Sequence, residues 1–145
     1  MVQPHLVSSV RLNSGIERKF DWSQTTPVFG ANAVRETADM MTAVVDEKLQ
    51  GGKAIISTMS VAAKTGTAQL TNEQGGYFSD RFFHSFVGFF PAYNPRFIIL
   101  LYTSDPQNVT YASDTLGSTF LDLTHFLIDY YAIPPDRGFA TTTPS

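Results

Sequence analysis

Hydrophobic and polar positions along the chain change period several times, and each change marks an element. Residues 6–22 read as a hairpin. Leu6-Val7-Ser8-Ser9-Val10-Arg11-Leu12 is rich in β-formers, and Asn13-Ser14-Gly15 is a turn cluster in which Gly15 can take positive φ. In the return segment, 16–22, Phe20 and Trp22 fall on one face, with Lys19 and Asp21 on the other. Its charges (Arg11, Glu17, Arg18, Lys19, Asp21) mix both signs, as on a solvated face. Residues 32–50 switch to helical spacing. Val34, Ala38, Met41, Val45 and Leu49 form one stripe, Asn32 is placed to cap the start, and Gly51-Gly52 to end it. Met40 and Met41 read as core filler.

Three strands are predicted next, over 60–70, 85–90 and 96–102. A Gly-rich polar loop (71–80) separates the first two, and Pro91-Ala92-Tyr93-Asn94-Pro95 turns the chain between the last two. The second and third strands are apolar at nearly every position, a pattern of strands covered on both faces. The tight turn makes them antiparallel. Asp105-Pro106 stops the third strand. A last helix is predicted over 113–131, with Ser113 as its cap and Leu116, Phe120, Leu123, Leu127 and Tyr130 on its buried face; Ile133-Pro134-Pro135 ends it. The fold class expected is α+β, an antiparallel sheet flanked by helices on both sides. The Thr-rich tail, 138–145, is expected to be disordered. No internal repeat is visible.

Composition narrows the function classes. The chain has 145 residues, of which 43% are hydrophobic and 16% charged, enough apolar material for a core and too little charge for a disordered chain. The net charge of −3 gives no basic excess to neutralise a phosphate backbone, so nucleic acid is not an expected partner. There is no cysteine, which excludes disulfides and thiolate metal sites. The longest apolar run, Phe97-Ile98-Ile99-Leu100-Leu101-Tyr102, is strand-sized, and Met1-Val2-Gln3-Pro4-His5 does not read as a signal peptide. A protein of this kind working outside the cytoplasm would rely on a segment not in this chain to take it there.

The chemistry-bearing stretch is Val61-Ala62-Ala63-Lys64-Thr65-Gly66-Thr67-Ala68-Gln69, which places Lys-Thr-Gly-Thr on a predicted strand. Lys-Thr-Gly is one of three motifs shared by serine β-lactamases and penicillin-binding proteins. Three residues alone are a weak signal. Further segments strengthen it: Met1 to Val7, Ser85-Phe86-Val87-Gly88-Phe89-Phe90-Pro91-Ala92-Tyr93-Asn94-Pro95, Tyr111-Ala112-Ser113, and Tyr130-Tyr131-Ala132-Ile133-Pro134-Pro135-Asp136. Together they resemble the C-terminal part of the transpeptidase domain of class B penicillin-binding proteins, the division (septal) type above all. The resemblance covers residues 1–137. Met1 then need not be a natural start.

The resemblance implies roles for single residues. Thr65 and Thr67 would bind, through their hydroxyls, the carboxylate of a donor stem peptide or of a β-lactam. Lys64 would supply positive charge beside it. The backbone N–H of Thr67 would be one of two oxyanion donors. Gly66, lacking a side chain, would let an extended peptide approach an edge strand. The catalytic candidates are therefore Lys64 and Thr67, and the substrate-binding candidates Thr65, Gly66 and Thr67. The family's other two motifs, Ser-x-x-Lys and Ser-x-Asn, do not occur: Ser60 precedes Lys64 by four residues, not three. The chain is thus expected to be a fragment, 1–137 forming part of one domain, and to be inactive alone. The family's partner for the last strand is also missing, so 97–102 is expected to form an exposed apolar edge and to make the isolated chain poorly soluble.

Other residues read as structural. His5, His84 and His125 are dispersed without ligand spacing, and neither a metal nor a cofactor is expected. Tyr77, Phe78, Phe82 and Phe83 suit core or loop plugging better than a substrate-facing wall. Asp46 and Glu47 read as surface charge near Lys48. The function implied is a piece of a peptidoglycan D,D-transpeptidase acting by serine acyl transfer, at the extracytoplasmic face of the cell membrane within a membrane-anchored protein. Its partners would be stem peptides, β-lactams, the missing N-terminal part of the domain and divisome membrane proteins. The alternatives are a serine β-lactamase fragment and a non-catalytic domain binding peptidoglycan peptides or a divisome partner.

Overall fold

The computed structural model describes residues 5–22 and 26–138. Residues 1–4 of the resembling segment Met1 to Val7, and 139–145 of the tail expected to be disordered, lie outside them. The chain divides into two compact units, 1–34 and 35–145.

The first unit holds the hairpin. Strands β1 (Ser9–Arg11) and β2 (Glu17–Lys19) pair antiparallel, with Val10 opposite Arg18. Gly15 takes φ 84° at the turn, and its N–H donates to Leu12 O at 2.9 Å. The strands are shorter than the β-rich pattern suggests, because almost every residue in them is exposed and the ladder has little to pack on. Trp22 compensates locally: its indole N–H donates to Val7 O at 2.9 Å, and its ring stacks on His5.

Helix α1 (Ala31–Ala43) begins one residue before Asn32. Val34 N–H donates to Gly30 O, so Gly30 holds the cap position and Asn32 does not. The predicted stripe survives in its second half. Ala38, Val45 and Leu49 are buried, whereas Val34 and Met40 are exposed, so Met40 is not core filler. The helix does not run straight to residue 50. It widens into a π turn at Val44–Lys48, where Leu49 N–H reaches back five residues to Val44 O, and then tightens over Leu49–Gly52. Gly51 and Gly52 take φ 67° and 82°, which stops the helix where the glycine pair predicts.

The sheet has the order β3 (Ala62–Thr71), β4 (Tyr77–Phe90), β5 (Phe97–Ser104), all antiparallel. β4 is much longer than expected. The predicted loop 71–80 shrinks to a turn in which Asn72 Oδ1 accepts from Gln74 N at 3.1 Å and Gly76 N at 2.9 Å, with Gly75 at φ 84°. Helix α2 (Ala112–Tyr130) packs on one face of the sheet. There Ala63, Phe86 and Phe90 meet Leu116, Phe120 and Leu121, with Val45 and Leu49 completing the core. Phe120 lies over Gly88, with ring centroids of Phe86 and Phe120 4.6 Å apart. Leu116 and Phe120 are buried as predicted, but Leu123 and Tyr130 are exposed; Leu121 and Thr124 take the inward positions instead.

Coverage of both faces is complete for neither predicted strand: over 84–90 β4 alternates buried and half-buried residues, and β5 is more open still. Its side chains alternate half-buried and exposed, and Ile98, Leu100 and Tyr102 are 72%, 62% and 68% exposed. β5 is an edge strand of the described sheet, and the expected apolar edge is there.

Candidate active site

The Lys-Thr-Gly-Thr run lies in the middle of β3, the other edge strand of the sheet. Register fixes which way each side chain goes. Lys64, Thr65, Gly66 and Thr67 stand opposite Val87, Phe86, Ser85 and His84. Paired residues share a face, and neighbours along a strand alternate. Thr65 and Thr67 therefore share the face of Phe86 and His84, where α2 packs. Lys64 and Gly66 share the opposite face, with Val87 and Ser85.

The four residues are held differently. Lys64 is exposed, and its ammonium donates to Thr65 O at 2.6 Å. A Cβ on Gly66 would lie 2.5 Å from Ser85 Oγ, so the missing side chain already serves the strand pairing. The Thr67 hydroxyl accepts from Ala112 N at 3.2 Å. Ala112 opens α2, and Tyr111 in front of it makes no side-chain cap bond, so Thr67 caps the helix from the neighbouring strand.

His84 is the residue that sequence reasoning left aside. It is fully buried opposite Thr67. Its Nε2 lies 3.0 Å from Thr110 O and its Nδ1 2.9 Å from Thr115 Oγ1. A carbonyl only accepts, so Nε2 carries a proton, while the Thr115 hydroxyl lies within reach of both Nδ1 and Ala112 O, at 2.9 and 3.3 Å. The sequence offers no signal for this beyond a histidine just ahead of the predicted strand 85–90. His125 is on α2 and His5 belongs to the first unit, and among the described residues no cluster of metal-ligating side chains forms.

A second set of contacts fixes the approach to β3. Asp136 accepts from Ser60 N at 2.6 Å and from the Ser60 hydroxyl, and Ser60 Oγ accepts from Ala92 N at 2.8 Å. Thr58 O takes the N–H groups of both Asp136 and Arg137. Arg137 grips Asp46 through two bonds, Nη1–Oδ1 at 3.1 Å and Nη2–Oδ2 at 2.6 Å. Asp46 is thus a partner in a half-buried ion pair and not a free surface charge; Glu47 is the one near Lys48, at 3.9 Å.

The aromatic set does not plug a core or line one wall. Phe82 and Phe83 point to opposite faces, stacking on His84 and Tyr102 respectively, and Tyr77 is 67% exposed. Beside them, Arg81 donates twice to Asp105 Oδ2, at 3.0 and 2.7 Å. That hydrogen bond, with the charge behind it, raises the Arg81 pKa and holds the Asp105 carboxyl below its ordinary value. At the β4–β5 turn, Tyr93 donates to Asp39 at 2.7 Å, which raises the phenol.

Known proteins share this arrangement of elements. Residues 1–124 match the family model of the penicillin binding protein transpeptidase domain. A peptidoglycan D,D-transpeptidase FtsI homolog of Mesostigma viride is 31% identical over 111 residues, 76% of this chain and 18% of that protein. Penicillin-binding protein PbpB of Mycolicibacterium smegmatis is 26% identical over 148 residues, 94% of this chain and 23% of that protein. Among solved structures, penicillin binding protein 3 of Mycobacterium tuberculosis, complexed with ampicillin, superposes with TM-score 0.72 at 24% identity, over 96% of this chain and 33% of that one. The transpeptidase domain of Burkholderia pseudomallei penicillin-binding protein 3 gives TM-score 0.65 at 26% identity, over 83% of this chain and 37% of that one. The chain spans less than a quarter of the length of these two sequence relatives. The sequence resemblance, the sheet and the family match agree, and the chain belongs to the penicillin binding protein transpeptidase domain family, as a class B member.

Proposed function

We propose that the chain forms the substrate-binding edge of a peptidoglycan D,D-transpeptidase, residues 1–137 being part of one transpeptidase domain. The observation that carries this reading is the placement of Lys64-Thr65-Gly66-Thr67 along an edge strand, where an extended peptide can add as a further strand. Thr65 and Thr67 would hold the terminal carboxylate of the donor stem peptide, and Lys64 would add positive charge beside it. A serine outside this chain would attack the penultimate D-Ala carbonyl carbon. The oxyanion would form against the Thr67 N–H and a second donor, each such donor contributing about 3–4 kcal/mol of barrier lowering. Collapse would expel the terminal D-Ala and leave a serine ester. An amine of a neighbouring stem peptide would then attack that ester, releasing the serine and completing the cross-link.

The same groups suit the carboxylate of a β-lactam, whose ring carbonyl would acylate the same serine. The nucleophile and its lysine would come from the Ser-x-x-Lys segment absent from these 145 residues, so this chain by itself is expected to be inactive. The whole protein would work at the extracytoplasmic face of the membrane, tethered through a segment outside this chain, in contact with divisome membrane proteins. Among the described residues no helix is long and apolar enough to cross a membrane.

The test is covalent labelling. Source-cell membranes are treated with fluorescent penicillin and blotted with an antibody raised against this chain. The expected result is one band, far larger than 16.0 kDa, that both fluoresces and binds antibody. An antibody-positive band near 16 kDa without label would replace the transpeptidase reading with a non-catalytic peptide-binding role.

A further inference from the structure

We propose that His84 is a positioning residue for the Thr67 hydroxyl, setting that hydroxyl to donate to the carboxylate of a stem peptide or β-lactam. The inference rests on the function proposed above and extends it to a residue with no part in that scheme.

A threonine hydroxyl has one proton and two lone pairs. Ala112 N–H points at Thr67 Oγ1, 3.2 Å away, and takes one lone pair. The hydroxyl proton therefore cannot serve Ala112, since two donors do not bond each other. It is left for an acceptor from outside, which is what an incoming carboxylate supplies. This bias lasts only while Ala112 N–H keeps its place.

His84 keeps it there. The ring bonds Thr110 O, two residues before Ala112, and Thr115 Oγ1, three residues after it. Both ring nitrogens are used, and the side chain has no exposed surface. The first turn of α2 is thereby pinned on both sides of Ala112 to the β4 residue that pairs with Thr67. No cap from Tyr111 does this work. Strand register, imidazole and helix start close one ring of contacts around the Thr67 hydroxyl. Cutting the ring at His84 frees the helix start, and with it the direction of the Thr67 O–H.

The experiment uses the penicillin-labelled protein that carries this chain, as wild type and as T67V, H84L, H84Q and T115V variants. Acylation is followed against concentration for a penicillin with its free carboxylate and for its methyl ester. H84L is expected to raise the half-saturating concentration of the acid by about tenfold, the scale of one hydrogen bond to a charged group, with a smaller change in limiting rate. The ester should be unaffected, because it has no anion for Thr67 to meet. H84Q keeps a donor near Thr110 O and should restore most of the loss. T115V, which removes the Nδ1 partner together with the 3.3 Å contact of Thr115 Oγ1 to Ala112 O, should give a change of the same kind and covers the case in which H84L does not fold. Equal losses for acid and ester would reduce His84 to a stability role and overturn the proposal. Amide exchange at Ala112 gives a readout independent of acylation: it should speed up in T67V, H84L and T115V, and an unchanged rate in H84L, or in T115V where H84L does not fold, would overturn the coupling. Absence of labelling in the wild type would count against the function instead, with the exchange result still deciding the linkage.

Discussion

Gly88→Ala tests whether α2 is docked on the sheet as described. A Cβ at position 88 would lie 2.6 Å from Phe120 Cε2, closer still to Phe120 Cζ, and 2.9 Å from Ala62 O. The first two contacts are with a ring that is fully buried and tilted against Phe86, and the third is with backbone. None is the free end of a flexible side chain, so the strain cannot be relieved by one rotamer change. Overpacking of this kind costs about 1–3 kcal/mol, and two obstacles put Gly88→Ala near the upper end. Phe120→Leu in the same chain makes room on one side only, since Ala62 O stays. The double variant should recover about 1 kcal/mol relative to the sum of the single ones, the coupling expected of residues in contact. Pulse proteolysis across a urea series suits the measurement, because it works at concentrations low enough to limit edge association. With a urea slope of about 2 kcal/mol per molar, Gly88→Ala should lower the midpoint by about 1–1.5 M. A midpoint shift under about 0.2 M, or strictly additive single variants, would refute the docking of Phe120 on Gly88.

Three further outcomes are expected. Asp136→Ala strands the N–H of Ser60, a residue 1% exposed, and should cost about 1–3 kcal/mol in the same proteolysis series; Asp136→Asn, which keeps one acceptor oxygen, should cost less. The Asp105 carboxyl should titrate, by carboxyl-carbon NMR, below the ordinary aspartate value of about 3.9 and move back up in Arg81→Met. Because its folded pKa is the lower one, the pair's contribution to stability is present above the unfolded value and is lost as pH falls through the folded one, so wild type and Arg81→Met should converge at the acid end. Leu100→Lys, at a 62% exposed edge position, should increase the soluble fraction of the isolated chain without lowering its urea midpoint; unchanged aggregation would remove β5 as its cause.

What the sequence discloses here is local, and what it hides is mostly long-range. The apolar runs of β4 and β5, the proline-flanked turn between them and the glycine pair after α1 are each visible within a few residues. β4 was legible only in its apolar half. Its first half, with Ser79, Asp80 and Arg81 in a row, carries no apolar alternation because most of it extends beyond the core. The π turn at Val44–Lys48 leaves no mark on a stripe counted in threes and fours, since Val45 and Leu49 stay buried through it. β5 reads as doubly covered because Ile98, Leu100 and Tyr102 are apolar, yet in the described residues they face outward. The motif residues were found by resemblance, but their partners were not. Ser60 and Asp136 are separated by 76 positions and His84 and Thr115 by 31, and no period connects such pairs.

Those hidden contacts converge on one strand. β3 is held along one side by its pairing with β4. Its approach is fixed by the Asp136–Ser60 bonds and, one step back, by Arg137 on Asp46. On its core face, Thr67 is joined to the first turn of α2. Its remaining long side is an edge of the described sheet. An unpaired edge ordinarily invites unselective strand addition, and proteins blunt it with charge or irregularity. Here the charge at the middle of the edge is Lys64, followed at once by a glycine and a threonine. Under the proposed function, this cation with its hydroxyls would select strands that end in a carboxylate over those that merely present backbone. Ordering the strand in advance lowers the entropy that binding must otherwise lose, so more of the binding energy remains to orient the peptide. The two threonines alone, on a loose strand, would leave their hydroxyls free to turn. Under the proposed function, the immobilised strand would be as much a part of the carboxylate site as Lys64, Thr65 and Thr67.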